Sequence, residues 1–256
     1  MATETERPTQ PPHLAHHFDD LKQQGEAFTM GMWIFLVTEV MIFGGLFAGY
    51  TVYRFLYPTE FAVGTELMNW QLASLNTLIL IASSLTIALA VYSAQMGQRS
   101  AIIRYLALTI LLGLAFLGFK AVEYTVDVQE GLLIVKGWYQ PKHVIEILEK
   151  ERDALEDDAS ESAKEELKYV ELKIKTLKEH PERIRLFLVF YYVMTGLHAI
   201  HMIGGMIYIG FLIHQTRQGK FSAEYHPQIE LFGLYWHFVD VVWIFLLPLL
   251  YLSGLH

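Results

Sequence analysis

The amino-acid sequence predicts an all-α membrane protein: five transmembrane helices, with an extramembrane helical hairpin between the third and the fourth. Three observations predict it. Hydrophobic residues make up 53% of the 256-residue chain, and they are gathered into long blocks rather than spread evenly. Five of these blocks reach the roughly 20 residues that a bilayer crossing requires. None alternates with period two, so helices rather than strands must satisfy the backbone in lipid.

Residues 1–29 form a polar tail that contains proline and acidic residues and lacks the apolar centre of a signal peptide. The first span, 30–53, ends in Tyr53, Arg54 and Tyr57, residue types suited to the headgroup region. The second and third spans cover 70–96 and 102–126 and complete a first membrane unit, 30–135. Residues 136–185 break the pattern: about half are charged, with both signs mixed. Within them Val144, Leu148, Glu151 and Leu155 keep helical spacing, and Leu167, Val170, Ile174 and Leu177 follow a heptad-like order. Glu146 with Lys150 and Glu171 with Lys175 stand at the favourable i,i+4 separation. Two short antiparallel helices are expected, turning at 157–162. The fourth and fifth spans, 186–214 and 231–252, lie in a second membrane unit, 186–256, and Pro248 should kink or end the last of them.

Basic residues of the short loops fix an orientation. One side carries Arg7, Lys22, Arg99, Arg104, Arg217 and Lys220, and the opposite side only Arg54. The positive-inside bias places the N-terminus in the cytoplasm and the C-terminus outside.

The chain has no cysteine. This excludes disulfides, thiolate zinc, thioether-linked haem, cysteine-held iron–sulfur clusters and copper–thiolate centres. A formal charge of −8 disfavours nucleic-acid binding.

Ionisable groups inside the membrane are costly unless they are paired or turned inward, so they are the best functional pointers. Glu39 sits about midway through the first span, as either a proton-exchangeable carboxyl or a structural hydrogen-bonding group. Lys120 and Glu123 are i,i+3 neighbours near the outer end of the third span, with Asp127 on the same face. Tyr191, Thr195, His198, Met202, Gly205 and Tyr208 form a stripe on the fourth span, with His201 beside it. Two histidines at that spacing resemble a metal pair, but no Glu-x-x-His repeat accompanies them, so a polar seam between helices is the preferred reading. His237 and Asp240 are i,i+3 neighbours on the fifth span, where a hydrogen-bonded pair is expected. Asn76, Thr77, Ser83 and Ser84 should supply interhelical hydrogen bonds, and Gly45, Gly49, Gly204 and Gly205 should allow close helix approach. Glu39, His198, His237 and Asp240 share one depth, which suggests a common internal polar zone.

These stretches resemble cytochrome c oxidase subunit III in its five-helix bacterial form. The matching segments are FLVTEVMIFGGLFAGY around Glu39, LNTLILIASS around Asn76, FKAVEY around Lys120 and Glu123, TGLHAIHMIGG around His198 and His201, and YWHFVDVVWIFLLPLLYL around His237 and Asp240. They follow the family's order, one per span. The resemblance implies a two-part bundle with a V-shaped, phospholipid-binding cleft. It implies a non-catalytic subunit of an oxygen-reducing oxidoreductase complex in the bacterial inner membrane, with haem and copper held by the partners: the catalytic subunit I, subunit II and a small subunit IV. Glu39 matches the family's carbodiimide-reactive, proton-related carboxyl. Lys120, Glu123, His198, His201, His237 and Asp240 match its intramembrane polar, lipid-related positions; no catalytic residue and no metal ligand is implied in this chain.

Two departures stand out. Ala199 replaces the usual glycine between the histidines, and residues 136–185 are longer than the usual connection. That insert is expected to dock a cytochrome c domain or a quinol-oxidising complex. Competing readings are a nitric oxide reductase-associated subunit, a membrane cytochrome b with histidine-ligated haem, and a proton transporter built on Glu39 and Asp240.

Overall fold

A computed structural model of the chain describes residues 17–132, 141–156 and 160–254. The described residues form eight helices: α1 (Leu21–Leu56), α2 (Pro58–Glu66), α3 (Trp70–Gln95), α4 (Arg99–Gln129), α5 (Lys142–Glu156), α6 (Glu161–Glu179), α7 (Pro181–Arg217) and α8 (Pro227–Tyr251). No strand occurs among them. Five helices, α1, α3, α4, α7 and α8, are long and apolar enough to cross a membrane. They match the five expected spans and extend past most of the predicted ends. The chain is a multi-pass all-α membrane protein. The first half of the expected tail and part of the expected 157–162 turn lie outside the described residues.

Local chemistry explains the helix ends. Asp20, Asn69 and Ser160 cap α1, α3 and α6, each accepting a backbone N–H from the first turn. Gly97 and Gly219 adopt positive φ just past α3 and α7. In both places the glycine N–H and the next N–H bond back to carbonyls of the last turn, a closure that a left-handed residue makes possible. His180, held out of the helical region by Pro181, separates α6 from α7.

α3 packs along α4 and α8, and α4 and α8 both pack on α7. This four-helix core buries Trp236, Trp243, Phe116 and Tyr191 almost completely. α1 touches α7 and α8 but not α3 or α4, and little of its apolar surface is covered by the chain itself. It is fastened at its C-terminal end. The Tyr50 hydroxyl donates to the Leu249 carbonyl at 2.5 Å, and the Arg54 guanidinium donates to the Ser253 hydroxyl and carbonyl. Arg54 therefore clamps α1 to the end of α8 instead of reaching only toward headgroups. Toward the other end, α1 leans off α7 and α8 and leaves a cleft of about 500 Å³, lined by Phe28, Gly31, Phe35, Gly204, Tyr208 and Tyr235 among others. This is the opening expected of a two-part bundle.

The hairpin forms as the spacing predicted. Val144, Leu148, Val170, Ile174 and Leu177 are buried between α5, α6 and the bundle, whereas Glu151 faces solvent. Glu146 pairs with Lys150 at 2.9 Å, and that ammonium holds the Glu146 carboxyl below the usual carboxylate range. Among the ion pairs of the described residues, the expected Glu171–Lys175 pair is not formed. The lysines of α6 instead reach across elements: Lys178 to Glu149 of α5 at 2.6 Å and Lys173 to Glu66 of α2 at 2.7 Å. With Arg183 on Glu60 at 2.6 Å, these bonds seat the hairpin on α2 and the start of α7.

The short helix α2 has no counterpart in the hydropathy pattern. Pro58 at its first position and Glu60 in its first turn are ordinary helix-start signals. Gly64 is needed there, because a β-carbon would lie 2.5 Å from the buried Phe187 ring. Gly64→Ala should therefore reverse the usual gain of about 1 kcal/mol for alanine in a helix. It should cost about 1–3 kcal/mol by overpacking, read as a lower thermal unfolding midpoint in detergent; a raised midpoint would show that Phe187 yields freely.

Candidate functional site

The intramembrane polar residues face inward, as the sequence requires, but they separate into four sites instead of one shared zone.

The first joins α1 to α7. Glu39, only 7% exposed, lies with Oε2 2.9 Å from Nε2 of His201. The other ring nitrogen, Nδ1, is 2.8 Å from the Leu197 carbonyl. A carbonyl can only accept, so Nδ1 carries a hydrogen. Nε2 then either accepts the proton of a neutral Glu39 or, protonated itself, donates to the Glu39 carboxylate. In both arrangements a single proton lies between carboxyl and imidazole, and the pair carries no net charge. That is how an acid can sit at mid-bilayer without an arginine or lysine beside it. Phe43 packs against the imidazole at 5.5 Å between ring centres, and the Tyr235 hydroxyl donates to the His201 carbonyl at 2.9 Å. Tyr235 also lines the cleft, so the pair sits at its inner edge.

The second site is the buried cluster toward the C-terminal end of α4. The Lys120 ammonium donates to Glu123 Oε2 at 2.9 Å, to the Tyr251 hydroxyl at 2.6 Å and to the Tyr191 hydroxyl at 3.3 Å. Tyr191 and Tyr251 each donate to Glu123 Oε1 at 2.8 Å. Tyr191 and Tyr192 reach Asp127 at 3.4 and 3.3 Å. Four rings surround the ammonium, with centroids at 5.0–5.4 Å: Tyr124, Tyr191, Trp243 and Tyr251. Lys120, Glu123 and Asp127 are each at most 5% exposed, so the expected i,i+3 pair is present and buried, with Glu123 and Asp127 on the wall of a cavity of about 460 Å³ shared with Glu66, Asn69 and Glu130.

The third site is His198, fully buried on α7 between Phe116 at 5.4 Å and Trp243 at 5.1 Å. Neither of its ring nitrogens has a hydrogen-bond partner. It makes no bond to His201, and among the described residues no three histidine, aspartate or glutamate side chains converge to hold a metal ion.

The fourth lies between α3 and α8. The expected His237–Asp240 pair does not close. His237 Nδ1 instead meets the Ser84 hydroxyl at 2.6 Å, and the Asp240 oxygens make no well-formed hydrogen bond, with Ser84 the one donor near them among the described residues. The i,i+3 spacing puts the two side chains on one face, and a hydroxyl from the next helix competes for the imidazole. Of the other α3 polar residues, Ser83 accepts from the Trp236 indole at 3.1 Å and Thr77 from the Trp243 indole at 3.0 Å. Asn76 is fully buried but makes no side-chain hydrogen bond, contrary to expectation. Gly49 and Gly205 meet Phe190 and Trp236 closely, whereas nothing lies near Gly45 or Gly204. The predicted α7 stripe is buried from Tyr191 to Gly205, and only Tyr208 emerges, into the cleft.

The profile of the family described as cytochrome c oxidase subunit III matches residues 14–133 and 185–255. It covers every spanning helix and passes over the stretch that carries the hairpin. Similar curated proteins are named probable quinol oxidase subunit 3. One from Staphylococcus saprophyticus is 25% identical over 245 residues, spanning 95% of this chain and 97% of the relative. One from Staphylococcus aureus strain USA300 is 26% identical over 248 residues, with the same coverage of both chains.

Proposed function

The chain belongs to the cytochrome c oxidase subunit III family, and from that premise we propose that it is an accessory subunit supporting proton uptake, lipid binding and stability in the catalytic subunit of its oxidase. As a haem-copper oxidase subunit III it associates with other oxidase subunits in a membrane. The observation that carries the functional reading is the Glu39–His201 pair: a mid-membrane carboxyl sharing one proton with an imidazole, on the helix least covered by its own chain. Loss of that proton would leave a carboxylate beside a neutral imidazole, so release from the pair must be matched by uptake of another proton.

We place the N-terminus in the cytoplasm and the hairpin on the periplasmic side, on the strength of the loop arginines and lysines. The partners in this reading are subunits I and II and a small subunit IV. The cleft beside α1, walled by aromatic rings and open to the bilayer, would accept phospholipid chains. The names of the relatives favour quinol over cytochrome c as the electron donor of the complex, and turnover of the purified complex with each donor decides between them. Affinity purification of the tagged chain with peptide identification tests the core of the proposal. It should bring down the haem-bearing catalytic subunit; recovery of the chain alone, or with its own haem absorbance, overturns it.

The hairpin offers a separate test. It stands outside the family match and is held by ion pairs that leave most of its outer face free. We assign it to docking a cytochrome c domain or a quinol-oxidising complex. Deleting 143–180 should release such a partner while the oxidase core stays assembled, and unchanged association would refute the assignment. Because α6 covers α2, the double substitution Glu165→Lys and Glu166→Lys on the exposed face provides a milder variant that keeps the hairpin in place.

A further inference from the structure

Asp240 poses a problem that the chain alone leaves unsolved. It lies on α8 about 20 Å from the start of the helix and about 16 Å from its end, which is mid-bilayer depth. It is 4% exposed, and neither carboxyl oxygen has a well-formed hydrogen bond; the one donor near them among the described residues is the Ser84 hydroxyl, which also meets His237. Leaving a buried polar group unpartnered costs about 1–3 kcal/mol, and an ionised one costs more.

The carboxyl faces a cavity of about 390 Å³ between α3 and α8. Thr77, Ser84 and His237 are the other polar residues on its wall, and the remainder is apolar. The Ser84 hydroxyl, 2.6 Å from His237 Nδ1, can turn its single hydrogen to the Asp240 carboxyl only when His237 donates to it, and at least one carboxyl oxygen is then still without a donor. The mouth is formed by Ile81, Val241 and Ile244, each about half exposed on the outer surface of the bundle. The cavity therefore opens sideways, into the bilayer, through an apolar rim.

This geometry narrows the occupant. It must bring a hydrogen-bond donor to the centre of the bilayer. A phospholipid cannot do so, because its polar headgroup stays at the interface, roughly 15 Å away. An acyl chain has no donor. A free cation would have to shed its water to pass the apolar rim. A flat ring bearing hydroxyl groups on an otherwise apolar molecule meets both demands, and the volume lies within the usual range for such ligands.

We propose that the α3–α8 cavity binds the ring of a lipid-soluble aromatic diol of the quinol class. One hydroxyl donates to Asp240, and the ring lies beside His237 and Ser84. The assignment is to binding only. No electron transfer is assigned to this site. The inference rests on the membrane placement of α3 and α8 and not on the oxidase assembly, so co-purification can succeed while this site fails.

The test is photolabelling of the intact, affinity-purified complex in nanodiscs with a tritiated azidoquinone, followed by mapping of the labelled peptides. Label is expected on α3 and α8 near Ser84 and Asp240, displaced by excess decyl-quinol. Asp240→Leu should lower that labelling at least tenfold, and Ile81→Trp, which fills the mouth from the surface, should block it without touching the polar wall. Label confined to other helices, or label here that is indifferent to both substitutions, overturns the proposal. So does a structure of the complex in which a side chain of the catalytic subunit, or water alone, satisfies Asp240.

Discussion

Replacing Lys120 with methionine should destabilise the protein more than any other single change in the membrane core. The ammonium is the only cation among three buried ionisable groups, and it accounts for much of what makes Glu123 tolerable there. Removing one partner of a buried pair typically costs about 3–5 kcal/mol, because the remaining charge is stranded. The Tyr191 and Tyr251 hydroxyls would still donate to Glu123, but the four rings packed around the ammonium would face a thioether. Asp127→Asn should cost far less, about 1 kcal/mol. It removes the excess carboxyl, and the amide oxygen can still accept from Tyr191 and Tyr192. Pairing Lys120→Met with Glu123→Gln should recover part of the loss, since no unbalanced charge remains at that position. The difference between the double variant and the sum of the singles measures the coupling. Unfolding free energies in bicelles supply the numbers. If Lys120→Met proves no more damaging than Asp127→Asn, the cluster is not held together by charge.

That cluster was partly legible in the sequence, and the reason bears on the other sites. Hydropathy exposes a spanning helix because the bilayer imposes length and composition on it, so all five spans could be read. The heptad spacing of the hairpin was equally visible, since Val170, Ile174 and Leu177 must share a face to be buried. α2 escaped because nine residues buried against other helices leave neither a long apolar block nor an amphipathic period. Side-chain pairing was legible only where both partners lie on one helix and nothing competes. Lys120 and Glu123 satisfy that condition, whereas His237 and Asp240, at the same spacing, do not, because Ser84 arrives from α3. Glu39 and His201 are 162 positions apart, and their meeting depends on α1 lying against α7, which no local pattern encodes. Depth alone grouped Glu39 with His198 and Asp240. The helix order separates them, because residues at one level can face different neighbours.

The second large effect concerns that Glu39–His201 contact, and two substitutions pull it apart in opposite ways. Glu39→Gln keeps the size of the side chain and offers an amide N–H to Nε2 of His201, whose Nδ1–H stays on the Leu197 carbonyl. Folding and assembly should therefore survive, with a loss of about 1 kcal/mol or less. What the amide cannot do is give up and regain a proton. If the carboxyl supplies protons to the catalytic subunit, the variant complex should start at a normal rate and then lose activity several-fold faster during turnover, more so at alkaline pH, where protons are scarce. His201→Leu does the reverse. It leaves the carboxyl buried without a partner, at a cost of about 1–3 kcal/mol for the neutral acid, so α1 should loosen from α7 and co-purify less well. The double variant Glu39→Leu with His201→Leu restores packing without the proton. It should assemble better than His201→Leu alone and share the short catalytic lifetime of Glu39→Gln. Measured side by side, catalytic lifetime against pH reports the proton and subunit recovery reports the contact. A Glu39→Gln complex with wild-type lifetime at every pH would leave the pair a purely structural fastening between α1 and α7.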